Sequence, residues 1–346
     1  MVTFFFDAIG QQTAVKNADT GQIYHQIDQR NANGQITSQQ FANGTSESVE
    51  YHPTLGTVTD INLTGAHAQH SLNLTYDIGG YIDSRSLTYG PTSQHSDTQE
   101  SYNYDSLNRL IYRGMTILTQ GDMPTSFTIS QSFPYDGFGN LVSKSGIGLY
   151  RYDDQNRLSH IDGFYKNNQR QFSAIDYDNN GNLTFDGNRH FVYSSFDKVV
   201  QLADPTNSSQ FEYGIGHSRF YRQDMTSSNT RHTAYLGPLE KTYHIDGADE
   251  QINYQLTLGQ LVIQVASNTT SDQIEPNYLH NDHLGSPLTV TDHTGKVIQQ
   301  LAFDPWGQSH QLYLDNALLL HNMPSHSQDF TGHEKLQHLD IIHMSG

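Results

Sequence analysis

Asp176, Asp178, Asn180 and Asn182, in DYDNNGN, place oxygen donors at alternate positions with Gly181 at the sixth. That is the first half of a calcium loop. The twelfth position, where a bidentate Glu belongs, is Gly187, and Asp186 is out of register. Half a loop binds calcium poorly, so no cofactor is expected, with calcium at this loop the alternative. A second cluster, His280, Asp282 and His283 in LHNDHLGS, offers two imidazoles and a carboxylate. Closed zinc sites need further ligands and supporting hydrogen bonds. Turn chemistry explains the same residues better, with Asp282 and His283 ahead of Leu284-Gly285-Ser286. His321, His326, His333, His338 and His343 crowd the tail without the three- or four-residue spacing that gathers ligands on one helix face. They read as surface and hairpin-edge residues. Cysteine is absent, which excludes disulfides, thiolate nucleophiles and cysteine zinc sites. No GxSxG and no Gly-rich phosphate loop occurs.

What positions these groups is a repeat. YDSLNRL starts at Tyr104, YDGFGNL at Tyr135, YDDQNRL at Tyr152 and YDNNGNL at Tyr177, with weaker copies at Phe6-Asp7, Tyr76-Asp77 and Phe196-Asp197. An irregular period near ~20 residues is too short for helical-pair repeats and fits strand-turn-strand units. LSHID, HFVYSSF, TSFTISQSF and QLTLGQLVIQV read as strands. In each copy the aromatic closes a strand and buries its ring, and the Asp accepts turn N–H groups. Gly or Asn supplies positive φ, and Leu opens the next strand facing the core. The pairs Tyr76-Asp77, Tyr104-Asp105, Tyr135-Asp136, Tyr152-Asp153 and Tyr177-Asp178 are therefore architecture before chemistry. Tyr177 is expected to be buried and Asp178 to bond the turn backbone.

Composition agrees. The 346 residues include Tyr 21, Phe 16 and Gly 28, a strand-and-turn mixture. Lys+Arg 18 against Asp+Glu 36 gives a net charge of -18, which repels nucleic acid and anionic lipid. No segment reaches the ~18 uninterrupted apolar residues of a membrane helix. MVTFFFDAIGQQ lacks the basic and long apolar regions of a secretory signal.

The repeats resemble the YD repeats of the Rhs family, shared by toxin-complex C components and teneurins. Three longer segments carry the resemblance. They are YLGPLEKTYHIDGADEQINYQLTLGQLVIQV (Tyr235 to Val265), YLHNDHLGSPLTVTDHTGKVIQQLAFDPWG (Tyr278 to Gly307) and DFTGHEKLQHLDIIHMSG (Asp329 to Gly346). The matching core positions are His280, Asp282, His283, Gly285, Asp304, Gly307, Gly332, His333 and Glu334. The resemblance implies an all-β fold: a continuous curled antiparallel sheet of YD hairpins forming part of an Rhs-type shell. It implies a YD-repeat region over 1–234 and a core segment over 235–346, ending before the family's self-protease plug and its toxin. An open, C-shaped sheet and a non-enzymatic structural role are expected. The implied partners are a C-terminal toxin or further shell segments, within a secretion system or toxin complex. A glycan-binding β module is the alternative. The family's location is secreted or cell-surface, and an orphan fragment would stay cytoplasmic.

Overall fold

The computed structural model describes residues 2–90, 96–119, 126–166, 169–246, 249–266, 276–314 and 327–343. His321 and His326 lie outside the described residues. The fold is nearly all β. Each strand pairs antiparallel with the next one in sequence, so the chain is a meander. Its first 11 strands, Val2–Phe6 through Ser126–Ser132, form one sheet, and four strands from Ser143–Lys144 to Gln169–Ala174 form a second. Fourteen strands, Asp176–Tyr177 through Ser309–Leu314, form a third, and Glu334–Leu336 pairs with Ile341–His343. Three short 3-10 turns are the only helical elements among the described residues. A lone Tyr135–Leu141 bridge lies between the first and second sheets, and the single residue Ile175 separates the last strand of the second from the first of the third. The boundary expected at 234/235 falls inside the strand Thr230–Leu236, where the ladder runs unbroken.

Local patterning explains the layering. In Gln69–Tyr76 the side chains of His70, Leu72 and Leu74 are buried while their neighbours are not, the period of two of a one-sided strand. Pro287–Thr291 is buried at every position, as a strand covered on both faces must be. The cover on one face is the first sheet. Ile61, Leu72, Leu74, Leu87 and Tyr89 pack with Leu288. Val15, Tyr24 and Phe41 pack with Leu261, Ile263 and Tyr278. The curl is thus tighter than an open C. The first sheet, here wall one, lies face to face with the Leu261–Phe303 part of the third, here wall two.

Hydrogen bonds tie the walls at several heights. His70 Nδ1 meets Thr289 Oγ1 at 3.0 Å, and Tyr89 Oη donates to Leu301 O at 3.0 Å. Arg85 Nη2 donates to Phe303 O at 2.8 Å, and Asn43 Nδ2 donates to Thr291 Oγ1 at 2.8 Å. Apolar burial provides the attraction, about 1.5–3 kcal/mol for a leucine taken fully from water. The polar ties set which residues face which.

Leu72 sits in this interface with 1% exposure. Leu72→Ala should destabilise the protein by about 2–5 kcal/mol in urea unfolding, the range for a buried leucine that leaves a cavity. A loss below about 1 kcal/mol would show that the packed interface is not what holds the walls.

Candidate functional site: the repeat turn and the three-motif junction

One turn recurs along the chain. In the YD copies Asp Oδ1 accepts N–H groups two and four residues on. For Asp105 the donors are Leu107 and Arg109, for Asp136 Phe138 and Asn140, for Asp178 Asn180 and Asn182. The third residue after Asp takes positive φ: Asn108 at 61°, Gly139 at 92°, Gly181 at 87°. This is a type I turn closed by a left-handed residue, a three-residue hairpin loop. Asp77 and Asp153 do the same. So do two core-motif acids. Asp282 accepts from Leu284 and Ser286, with Gly285 at φ 87°, and Asp304 accepts from Trp306 and Gln308, with Gly307 at φ 83°. Where the residue after the left-handed position is Arg or Asn, it reaches back to Oδ2, as Arg109 does to Asp105 at 2.8 Å and Asn182 to Asp178 at 3.0 Å. That amide, with the turn N–H groups, holds the Asp178 carboxyl below the usual carboxylate range.

The tyrosines differ from expectation. Tyr76, Tyr104, Tyr135, Tyr152 and Tyr177 are half-buried, not enclosed. Their hydroxyls explain why. Tyr104 Oη donates to Ile82 O at 3.0 Å, Tyr135 to Leu110 O at 3.1 Å and Tyr152 to Leu141 O at 2.8 Å. Each acceptor is the residue that follows the preceding turn. The ring therefore spans from one repeat to the last and keeps its polar end at the rim. Arginine covers two of the rings: Arg109 lies 4.4 Å from the Tyr135 centroid and Arg157 5.1 Å from that of Tyr177.

The calcium-type residues share this turn. Asp178 is occupied as above, Asn180 and Asn182 both direct their amide groups to Asp197 Oδ1, and Asp176 stands exposed on the strand before the turn. The histidine cluster does not converge. His280 is fully buried against wall one, its Nε2 at 2.9 Å from Thr291 Oγ1, while Asp282 and the half-buried His283 belong to the turn beyond it. Among the described residues no three His, Asp or Glu are arranged to hold a metal.

The long motifs meet at one junction. Thr331 N donates to Ser286 Oγ at 3.0 Å, tying the FTGHE segment to the DHLGS turn. Gly307 lies under the Phe330 ring, so close that a Cβ there would come within 2.7 Å of it. Lys335 Nζ donates to Ser309 Oγ at 2.8 Å. Gly332, at φ 72°, turns the chain so that its N–H reaches Asp329 O at 3.0 Å, and His333 N donates to Phe330 O at 3.1 Å.

Glu334 then anchors the tail. Its carboxylate takes the guanidinium groups of Arg219 and Arg222 and the Tyr235 hydroxyl at 2.9 Å. Burial pushes this carboxyl upward, but Arg222 and Arg219 outweigh it and hold it down at about 2. Beside it Asp224 pairs with Arg222 at 2.9 Å, and His338 bonds Ser209 Oγ at 2.9 Å. His338 is therefore an anchoring group, not the surface residue its spacing suggested. Leu336 and Leu339 close the contact on Phe191, Leu202 and Phe211. A second buried carboxylate, Glu100, binds Arg85 and Arg113 within wall one.

Glu334→Gln leaves the part-buried Arg219 without its counter-charge and the buried Arg222 with Asp224 alone, and should cost about 3–5 kcal/mol, read as thermal unfolding and as faster proteolysis of residues 327–343. The folded carboxyl lies below its unfolded value of 4.5, so its contribution is full above 4.5 and lost as pH falls toward about 2. The wild type should lose tail protection over that range, and the variant should show no such step. Tyr104→Phe, which removes one ring-to-carbonyl bond, should cost about 1 kcal/mol.

The comparisons agree with this architecture. A crystal structure of TcdB2-TccC3 matches with a TM-score of 0.79 and 14% identity, covering 99% of this chain and 19% of that one. TcdB2-TccC3-TEV matches at 0.75 and 15% identity, over 99% and 18%. The Photorhabdus luminescens Tc holotoxin pore matches at 0.74 and 14% identity, over 99% and 19%. At such identity the likeness is one of fold. The tRNA3(Ser)-specific nuclease WapA of Bacillus spizizenii is 23% identical over 183 residues, 51% of this chain and 7% of that protein. The chain thus spans less than a fifth of each of these proteins. A family model, the teneurin YD-shell, matches residues 59–311. With most of the chain matched and the turn, the meander and the junction in place, the protein belongs to the teneurin YD-shell family.

Proposed function

We propose that this chain is a wall segment of an Rhs-type shell, that it does no chemistry of its own, and that its role is to enclose a polypeptide that accompanies it. One observation carries the reading. The motif side chains best suited to chemistry hold turns and walls, the turn aspartates on their own backbone, Glu334 on two arginines and His280 on Thr291, and the unpartnered Asp282 Oδ2 and His280 Nδ1 are buried. Catalytic acids need a free oxygen within reach of substrate. The likeness to TcdB2-TccC3 over almost the whole chain supports the shell fold. The enclosed partner would be a C-terminal toxin, the assembly a toxin complex, and the place of action outside the producing cell. These partners follow from the relatives' company.

The absence of proteolysis is part of the same reading. Of the acids near the end of the chain, Asp304 is committed to its turn and to Lys144 at 3.5 Å, and Asp329 to Phe330 N and Lys335. Incubated alone at pH 5 and pH 7, the protein should remain one band near 39.0 kDa. Isolated together with the polypeptide it accompanies, it should protect that passenger from trypsin until the wall itself is cut. A passenger digested as fast as when free would contradict enclosure. A discrete self-cleavage product, lost in Asp304→Asn, would contradict the non-enzymatic role.

A further inference from the structure

A third buried carboxylate differs from Glu100 and Glu334 because no Lys or Arg pairs with it among the described residues. Glu47, on Ser46–Tyr51 of wall one, is 5% exposed. Gln39 Nε2, also of wall one, donates to its Oε1 at 2.6 Å, and Gln260 Nε2, in the hairpin loop of wall two, donates to its Oε2 at 3.2 Å. Gln39 and Gln260 also bond each other at 2.7 Å. His280 Nδ1, of wall two, lies 4.0 Å from Oε2 and has no hydrogen-bond partner. The acid is thus shared between the walls at one seam.

We propose that Glu47 is a proton-operated latch between the walls: neutral, it sits in the dry seam without charge and the seam is shut; ionised, it carries a charge that the two amides solvate but no cation balances, and the seam loosens and admits water. The physical ground is that a carboxylate removed from water without a cation is costly, while a neutral carboxyl is not. A His280 ring that donates from Nε2 to Thr291 presents a lone pair and no charge at Nδ1, 4.0 Å from Oε2.

Every titratable group that faces Glu47 leaves this charge unbalanced. His25 bonds Gln39 Oε1 at 2.9 Å and is held by burial below the usual histidine range. His280 is held well below it by burial, and His70, which faces His280, at about 4. Tyr51 is pushed up by burial and by Glu47, and Arg30 acts on Tyr51. Burial, opposed by the Gln39 and Gln260 amides, pushes the Glu47 carboxyl up to about 7 from 4.5. Its folded value is above its unfolded one, so its contribution is full below 4.5 and lost as pH rises to about 7. The histidines act in the opposite sense, each losing stability as pH falls below 6.5. The acid is therefore isolated by comparing wild type with a variant.

The test is amide hydrogen exchange of segments 36–51, 257–266 and 276–291 between pH 5 and pH 8, corrected for the intrinsic rate, in wild type and Glu47→Gln. Wild-type opening should rise on the order of 100-fold over this range, and Glu47→Gln should abolish that rise. Equal pH dependence in the two proteins would overturn the proposal. Should the variant fail to fold, the side-chain carboxyl carbons of wild-type protein labelled in glutamate provide the same test by NMR. One carboxyl titrating near 7, in step with seam exchange, is the expected result. Seam exchange out of step with that titration, or no carboxyl titrating above pH 6, would overturn it.

Discussion

Each reversal at a YD repeat depends on a side chain standing in for a backbone acceptor. In a three-residue hairpin loop the N–H groups two and four positions beyond the turn's first residue have no strand partner, and an unpaired buried N–H is costly. Aspartate supplies one oxygen for both, as at Asp136, where the distances to Phe138 N and Asn140 N are 2.9 Å and 2.9 Å. With that solved locally, strands can follow one another in sequence order. The result is a meander of nearest-neighbour pairings and not a crossover sheet.

The turn alone would give only a ribbon. Two further devices make it a wall. At Tyr104, Tyr135 and Tyr152 the tyrosine hydroxyl links a turn to the one before it, which keeps successive hairpins in register. Face packing then folds the ribbon onto itself, through leucines in the middle and through buried polar groups at points that must be unique. Apolar surfaces slide easily past one another. A carboxylate between two arginines does not, because any slip leaves a buried charge unpaired. Glu334 uses this to fix the tail on Arg219 and Arg222, and Glu100 uses it within wall one.

How much of this was legible depended on the range of each interaction. The turn was readable because all its partners lie within five residues, and the Asp282 and Asp304 turns follow the same rule as Asp178. Tyrosine burial was overestimated because the ring's partner is the preceding repeat. The Tyr104 hydroxyl reaches back 22 residues, and the sequence shows only a large aromatic beside an acid. Glu334 carried a motif but no visible role, since its arginines lie 115 and 112 residues away. Glu47 belongs to no motif and becomes distinctive only when Gln260, 213 residues on, is brought against it. The histidines misled for the same reason. Their spacing along the chain could not show that His280 is sealed between walls or that His338 anchors the tail.

The chain forms two walls packed face to face. Because it contains no cysteine, a single pair of spin labels can be placed without altering native thiols. Ser48 on wall one and Lys296 on wall two are both exposed. Labels at cysteines introduced there should give one narrow distance distribution by pulsed electron-electron resonance at pH 5, the mark of sheets held at the ~10 Å separation of packed β layers. A broad distribution extending to long distances at that pH, with the strands still formed, would contradict the account.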